Sequence, residues 1–458
     1  MHFTTCISFD RLLAGSDFMK SLLEGNINKQ LIALALPLIL GNILQQFYNT
    51  VDSFIAGQWI SQNAFSAIGT AGSMMNLFIF MINGCCNGIT IIFSQYYGER
   101  NELGIKKEMF ISLVFGLCFV FLLSFIGLLN LTTFLKLMST PQCIFLLVKK
   151  YLTIIIFFLF ITFIYNWSSS VLRSFGDSKM ALYVLGLSVF INIVLDIIFV
   201  VIFHQGVQAL AYATIISQLI SSLCSTYYLI KRYPFVCFKL NQITNIKPLL
   251  KTTINYGLIS ALHQSSLYLG KLFIQGAINS AGMNIVTAYA VTTRIEGLIN
   301  SFGDSGCAAI SILVGQNYGA HNTKRTKETL FKGLKLMISL SVVLSIIIVL
   351  LTKPMTLLFV EKSQYQVIHE TFIYMLVVCI FYIFCFIGNV FVGFYRGIGR
   401  VDIPFKGTTM HVTLRVILSY LLIHHLGLVG VALGCGVGWI FVNLYQVYQY
   451  RKLDIFNK

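Results

Sequence analysis

Two carboxylates stand where the chain has almost no other charge. Asp52, in YNTVDSFIAG (48–57), is the only Asp, Glu, Lys or Arg between Lys29 and Glu99. Asp196, in FINIVLDIIFV (190–200), is the only one between Lys179 and Lys231. Asn192 lies four residues before Asp196, so amide and carboxylate share one face of a helix. Asn42, Gln45, Asn49 and Asp52 fall at i, i+3, i+7 and i+10, again along one side. Pro37 precedes them on the same segment, where its missing N–H and its ring are expected to kink a helix. Carboxylate and amide oxygens are hard donors, suited to Na⁺ by analogy with other hard cations. A lone acid also takes a proton, because an acid in mid-membrane costs about 2.5–3.5 kcal/mol even on insertion-based scales. Asp52, Asn192 and Asp196 are therefore a candidate site for H⁺ or Na⁺, with the first stripe as a cavity wall. Two plainer readings stand beside it: Asp52 at the interface of a tilted span, and an Asn–Asp pair that holds helices together.

These residues need membrane helices to position them. The chain has 458 residues, 57% of them hydrophobic and 10% charged, and a mean hydropathy of +0.81. Soluble domains carry about 25% charged residues, so this composition describes an integral membrane protein. Twelve segments are long and apolar enough to cross, at about 31–57, 64–96, 109–134, 146–172, 180–203, 207–231, 252–278, 285–315, 331–352, 367–395, 404–424 and 427–450. Alternating strand patterns are absent, which leaves helices. With the first terminus inside, internal loops and tails hold 24 of the 32 Lys and Arg, and external loops hold five. That bias puts both termini in the cytoplasm. It also removes nucleic acid as a partner, because the net charge of +16 is spread over many short loops.

The two halves are related. SQYYGERNELGIKK (94–107) aligns with GQNYGAHNTKRTKE (315–328), VLRSFGD (171–177) with FYRGIGR (394–400), and HQGVQALA (204–211) with HLGLVGVA (425–432). Six helices per half is an even number, so the halves share one orientation. The expected fold is all-α, two six-helix lobes related by a pseudo-twofold along the membrane normal. The expected boundaries are a cytoplasmic extension at 1–24, a first lobe at 25–232, a linker at 233–248, a second lobe at 249–452 and a tail at 453–458.

The remaining acids and bases within spans are less orderly. Arg294 and Glu296 are two apart and do not face each other on a helix. Asp304 lies in GDSGC (303–307), a superficial likeness to a protease nucleophile motif inside a membrane span. Gly303 and Gly306 there suggest close helix approach or an unwound turn. Lys271 and Arg415 are cavity cations or snorkelling side chains. His263, Gln264, Glu296 and Met75 join Asn42, Gln45 and Asn49 as candidate cavity residues. The other acids, Glu108 among them, fall in loops or tails. No phosphate-binding loop, HExxH, GxSxG or calcium loop is present, and the eleven cysteines lack metal spacing, so neither an enzyme nor a cofactor is expected.

ALPLILGNILQQFYNTVDSFIAGQWI (35–60), SQYYGERN (94–101), LRSFGDSKMAL (172–182) and LVGQNYGAHN (313–322) resemble the multidrug and toxic compound extrusion (MATE) family. The resemblance covers about residues 25–452 and implies a V of two lobes around a cavity. It implies export of cationic and amphipathic small molecules, driven by inward H⁺ or Na⁺. The DinF-related branch pairs a first-span proline with an aspartate fifteen residues on, matched by Pro37 and Asp52. Its cation site also uses an asparagine in the fourth span, an Asn-x-x-x-Asp pair in the fifth and a threonine in the sixth. Asn166, Asn192, Asp196 and Thr214 stand at those places. The seventh span has His263, Gln264 and Lys271 where another branch relies on acids. The implied setting is a monomer among lipids in the plasma membrane, the inner membrane of a bacterium. Flipping of a lipid-linked precursor, or a membrane scaffold or enzyme, are the alternatives.

Overall fold

The computed structural model describes residues 22–138, 140–239 and 244–453. All but the last three residues of the expected 1–24 extension lie outside them, as do 240–243 of the linker and the tail after Leu453. The described residues form α1 (Ile27–Ile55), α2 (Gln62–Glu99), α3 (Glu102–Leu137), α4 (Gln142–Phe157), α5 (Leu159–Ser174), α6 (Ser178–Asp196) and α7 (Val207–Arg232). They continue with α8 (Lys247–Asn279), α9 (Met283–Gly319), α10 (Thr323–Thr356), α11 (Tyr365–Gly397), α12 (Asp402–Leu426) and α13 (Leu428–Arg451). Single π-helical segments extend α1 to Ile60 and α6 to Ile202.

The thirteen α-helices of the described residues make twelve crossings, ten of them long and apolar enough by themselves when α4 and α5 count as one. α4 and α5 form one span bent by 51° at Phe158, a break with no proline or glycine to announce it. α8 and α12 are less apolar than the other spans, and each carries basic residues, Lys271 and Arg415 among them, within its length. α1 runs unbroken through Pro37, which is buried.

The duplication is visible helix by helix. α2 and α9 start 221 residues apart, as do α3 and α10, and α7 and α13. α4 with α5 matches α11 at an offset of 223 residues at both ends. The repeated motifs sit where the backbone demands them. Gly176 (φ +91°) and Gly399 (φ +81°) take the left-handed conformation that turns the chain between spans. Asn101 and Asn322 cap α3 and α10 through bonds from the Gly104 and Arg325 amides of 2.8 and 3.0 Å.

Two hydrophobic cores result. One lies within residues 55–261, and the other within 274–453. Ile27, Leu31 and Leu34, at the start of α1, pack into the second. Arg325 of α10 holds the same end, donating to the carbonyls of Leu22, Glu24 and Gly25 and to Gln30 Oε1. α1 thus belongs to the first lobe by sequence and is anchored in the second.

The lobes meet in a seam of α1, α2, α8 and α9. At the end carrying the basic loops it is sealed backbone to backbone. A Cβ on Gly98 would collide with the Gln316 carbonyl, and one on Gly319 with the Gln95 carbonyl. The same glutamines cross reciprocally: Gln95 donates to Gly397 O at 2.9 Å, and Gln316 to Ser174 O at 2.7 Å. Glu108, expected in a loop, is instead fully buried here and accepts from Thr253 of α8 at 2.8 Å. α3 begins earlier than hydropathy suggests, and α8 from the other half covers its first turns. Towards the opposite end the seam parts. Gly69 and Gly72 have nothing within 4 Å, and Gln45, Gln46 and Asn49 are exposed.

Gly98→Val should therefore prevent the sealed state from forming. A single cysteine at Ser94, 1% exposed here, should react with a water-soluble maleimide in the Gly98→Val background, with other cysteines replaced, and stay protected beside Gly98. Equal protection in both would show that the glycine contact does not make the seal.

Candidate functional site

Asp52 lies near the far end of α1, and Asp196 is the last residue of α6 before its π-helical segment. α1 packs along α6, and this brings the two acids together inside the first lobe, 5% and 0% exposed. Asn192, one turn before Asp196, joins them. In the amide orientation that satisfies its neighbours, its nitrogen donates to Asp52 Oδ1 at 3.1 Å and Asp196 Oδ2 at 3.2 Å. Its oxygen accepts from the Thr214 amide at 3.3 Å. One neutral amide therefore faces two carboxyl groups, and Asp196 Oδ1 is buried without a partner. A buried carboxylate without a cation or enough donors is costly. Such an arrangement takes a proton or a hard monovalent cation between the acids.

Thr214 of α7 completes one wall. Its hydroxyl donates to Leu210 O at 2.9 Å and lies 3.0 Å from the Tyr48 hydroxyl. Tyr151 of α4 is buried alongside, close enough to act electrostatically on both acids. Neither tyrosine was singled out from sequence. Tyr48 had a signal, since it sits four residues before Asp52 on the same helix face. Tyr151 had none, because an aromatic in a membrane span is ordinarily packing. The two carboxyls and the Tyr48 and Thr214 hydroxyls offer hard oxygens, which suit Na⁺ or a proton, while Asn192 turns its nitrogen to the acids.

The other expected site residues fall into separate groups. Asn166 donates to Thr162 O of its own helix at 2.8 Å, with no hydrogen bond to the acids. Asn42 points across the seam to Ser305 Oγ of α9 at 3.3 Å. Gln45 and Asn49 are exposed where the seam parts, and Met75 packs beside the first core. The stripe from Asn42 to Asp52 is therefore divided: its amides face the space between lobes, while Asp52 turns into the first lobe with Tyr48. His263 is tied structurally, Nδ1 to Arg396 at 2.8 Å and Nε2 to Thr408 at 2.7 Å. Arginine can only donate, so Nδ1 accepts and the ring proton sits on Nε2. Gln264 is half-buried on α8. Glu296 accepts from Tyr374 at 3.0 Å and Tyr382 at 3.4 Å. Arg294 does not pair with it and lies 5.1 Å from the Phe359 ring centroid. GDSGC is uninterrupted helix, in which Gly303 admits Asn389 and Gly306 admits Met337.

Two six-helix lobes meeting at a seam, with paired acids buried in one, describe a multi-pass membrane transporter. The model of the MatE family matches residues 37–198 and 258–421, one stretch in each lobe, and the chain belongs to that family. It is a transporter and not an enzyme. It is 28% identical over 433 residues to a probable multidrug resistance protein of Bacillus subtilis, YpnP, covering 93% of this chain and 96% of that one. It is 26% identical to a probable multidrug resistance protein of Thermotoga maritima, NorM, covering 91% and 90%. Among solved structures, a MOP superfamily transporter from Pyrococcus furiosus superposes with a TM-score of 0.86 at 23% identity, over 94% of this chain and 96% of that one.

If Asn192 ties the acids, Asn192→Leu should lower stability by about 1–3 kcal/mol, the cost of leaving buried polar groups without their partner. Adding Asp196→Asn should recover part of that loss, whereas independent sites would add. Thermal unfolding of the three variants in detergent decides between these outcomes.

Proposed function

We propose that the protein is a cation-coupled antiporter exporting small amphipathic or cationic compounds, with Asp52 and Asp196 taking up the coupling H⁺ or Na⁺. The observation that carries this reading is the Asn192 amide held between two buried carboxyl groups. A structural tie between helices would be satisfied by one acid. Two acids around one neutral donor leave negative charge that a proton or Na⁺ offsets. The names of the relatives, multidrug resistance proteins, support the substrate class.

The mechanism follows from where α1 is attached. Its first turns are packed into the second core and held by Arg325, while Asp52 near its far end belongs to the ion site. Pro37 lies between, and the missing N–H there leaves the helix free to bend. Binding of a cation lowers the repulsion within the pair and favours the α1 geometry that keeps Asp52 against Asp196. Release favours another, and Gln45 and Asn49 move with the helix, so the wall presented to substrate changes. A ligand shifts such an equilibrium only through different affinities for the two states. Neutralising acids supply that difference. The expected setting is the plasma membrane, as a monomer with both termini cytoplasmic and the parted seam facing outside.

The test is transport by reconstituted protein of a fluorescent organic cation under imposed H⁺ or Na⁺ gradients. Gradient-driven movement is expected in the parent and lost in Asp52→Asn and in Asp196→Asn. The reading fails if either variant keeps the parent's ion dependence.

A further inference from the structure

The aspartate of GDSGC (303–307) differs from the other acids within the spans. Asp52, Glu108, Asp196 and Glu296 are buried. Asp304 is exposed, although Gly303, Ser305, Gly306 and Cys307 around it are buried. Among the described residues none forms a hydrogen bond or ion pair with its carboxyl. A mid-span acid facing lipid is costly, so the direction in which Asp304 points decides what it does.

The helix gives that direction. α9 is uninterrupted, so Gly297, Asp304 and Gly315 lie within about 20° of one line along it. At Gly315 the line is closed, since a Cβ there would stand 2.9 Å from Ser94 Cβ of α2, in the other lobe. At Gly297 it is open, with nothing within 4 Å. Asp304 is between them, about 16 Å along the axis from Gly315. Its neighbour Ser305 accepts from Asn42 of α1 at 3.3 Å. Further along α1, Gln45 and Asn49 are exposed. The Asp304 carboxyl therefore stands on the second-lobe wall where the seam begins to part, and amides line the wall opposite. Lys271 and Arg396 are bases within electrostatic range. Neither comes within ion-pair distance of it, and Arg396 is turned to His263 at 2.8 Å.

We propose that Asp304 anchors the positive charge of the transported compound, its carboxylate pairing with an amphipathic organic monocation held between the lobes. One carboxylate facing neutral amides balances one positive charge. Pairing through charge also asks little of the rest of the ligand's shape, unlike a set of directed hydrogen bonds. The anchor is separate from the coupling pair, which is buried inside the first lobe. The inference rests on reading the space between the lobes as the path of the substrate.

Equilibrium binding of ethidium, a permanent monocation, and of its neutral dihydro form to purified protein without any gradient tests it. The parent should bind ethidium more tightly than the dihydro form. Asp304→Asn should raise the Kd for ethidium about tenfold, the loss of one charge-assisted contact, and shift that for the neutral form by less than about twofold. Asp304→Glu should keep the parent's preference. In Asp304→Cys, with other cysteines replaced, attaching a sulfonatoethyl group should restore tight ethidium binding, and attaching a trimethylammonioethyl group should not. No preference in the parent, a preference that survives Asp304→Asn, or equal weakening for both ligands would each overturn the proposal. Failure of Asp304→Asn to fold would overturn it too, by making the acid a structural one. Binding without a gradient reads Asp304 alone, and the ion dependence of Asp52→Asn reads the coupling pair, so the two readings can fail separately.

Discussion

A carboxylate in a membrane interior must be neutralised, and Asp52 and Asp196 are buried there side by side. Asn192 offers one neutral nitrogen to two acids, which leaves their negative charge without a counter-charge. The geometry around them follows from this shortage. α1 and α6 are held at the distance one amide spans. Tyr48 and Thr214 close the remaining side, with hydroxyls 3.0 Å apart. Under the proposed cation coupling, occupancy would change the contact between two helices, and one of them is the helix both lobes share.

That sharing depends on a seam made rigid at one end. Where Gly98 and Gly319 cross the Gln316 and Gln95 carbonyls, no side chain intervenes, and the reciprocal glutamine bonds register one lobe on the other. Contacts of this kind are lost as a unit when lobes rotate, since each depends on the same close backbone approach. Glu108 adds a polar bond from α3 to Thr253 in the same place. Packed interfaces are bistable rather than continuously deformable. Under the proposed mechanism, such a seam separates a sealed state from an unsealed one, and charge on the Asp52–Asp196 pair selects between them.

Much of this was legible in the sequence, for identifiable reasons. The twelve crossings and the duplication follow from hydropathy and from turn residues whose backbone conformation tolerates few substitutions, such as Gly176 and Gly399. Asp52, Asn192 and Asp196 were visible because isolated polar residues in apolar runs have few ordinary explanations. What stayed hidden depends on neighbours from elsewhere in the chain. Burial of Glu108 needs α8, which arrives from the other half. The break at Phe158 carries no proline or glycine. Asn166 shares its site-like position with a bond to its own helix that no spacing rule announces. The stripe from Asn42 to Asp52 reads as one face, yet eighty degrees of helix separate its ends, enough for Asp52 to turn into the lobe while Asn42 meets Ser305.

The central claim is that charge on the Asp52–Asp196 pair sets the relation between lobes. The direct measurement is the distance distribution between spin labels at Asn63 and Ser280, on exposed positions of the first and second lobes, recorded as pH or Na⁺ is varied. The account predicts two populations whose ratio shifts with the coupling ion in the parent and is unresponsive to it in Asp52→Asn/Asp196→Asn. An undiminished ion-dependent shift in that double variant would contradict it.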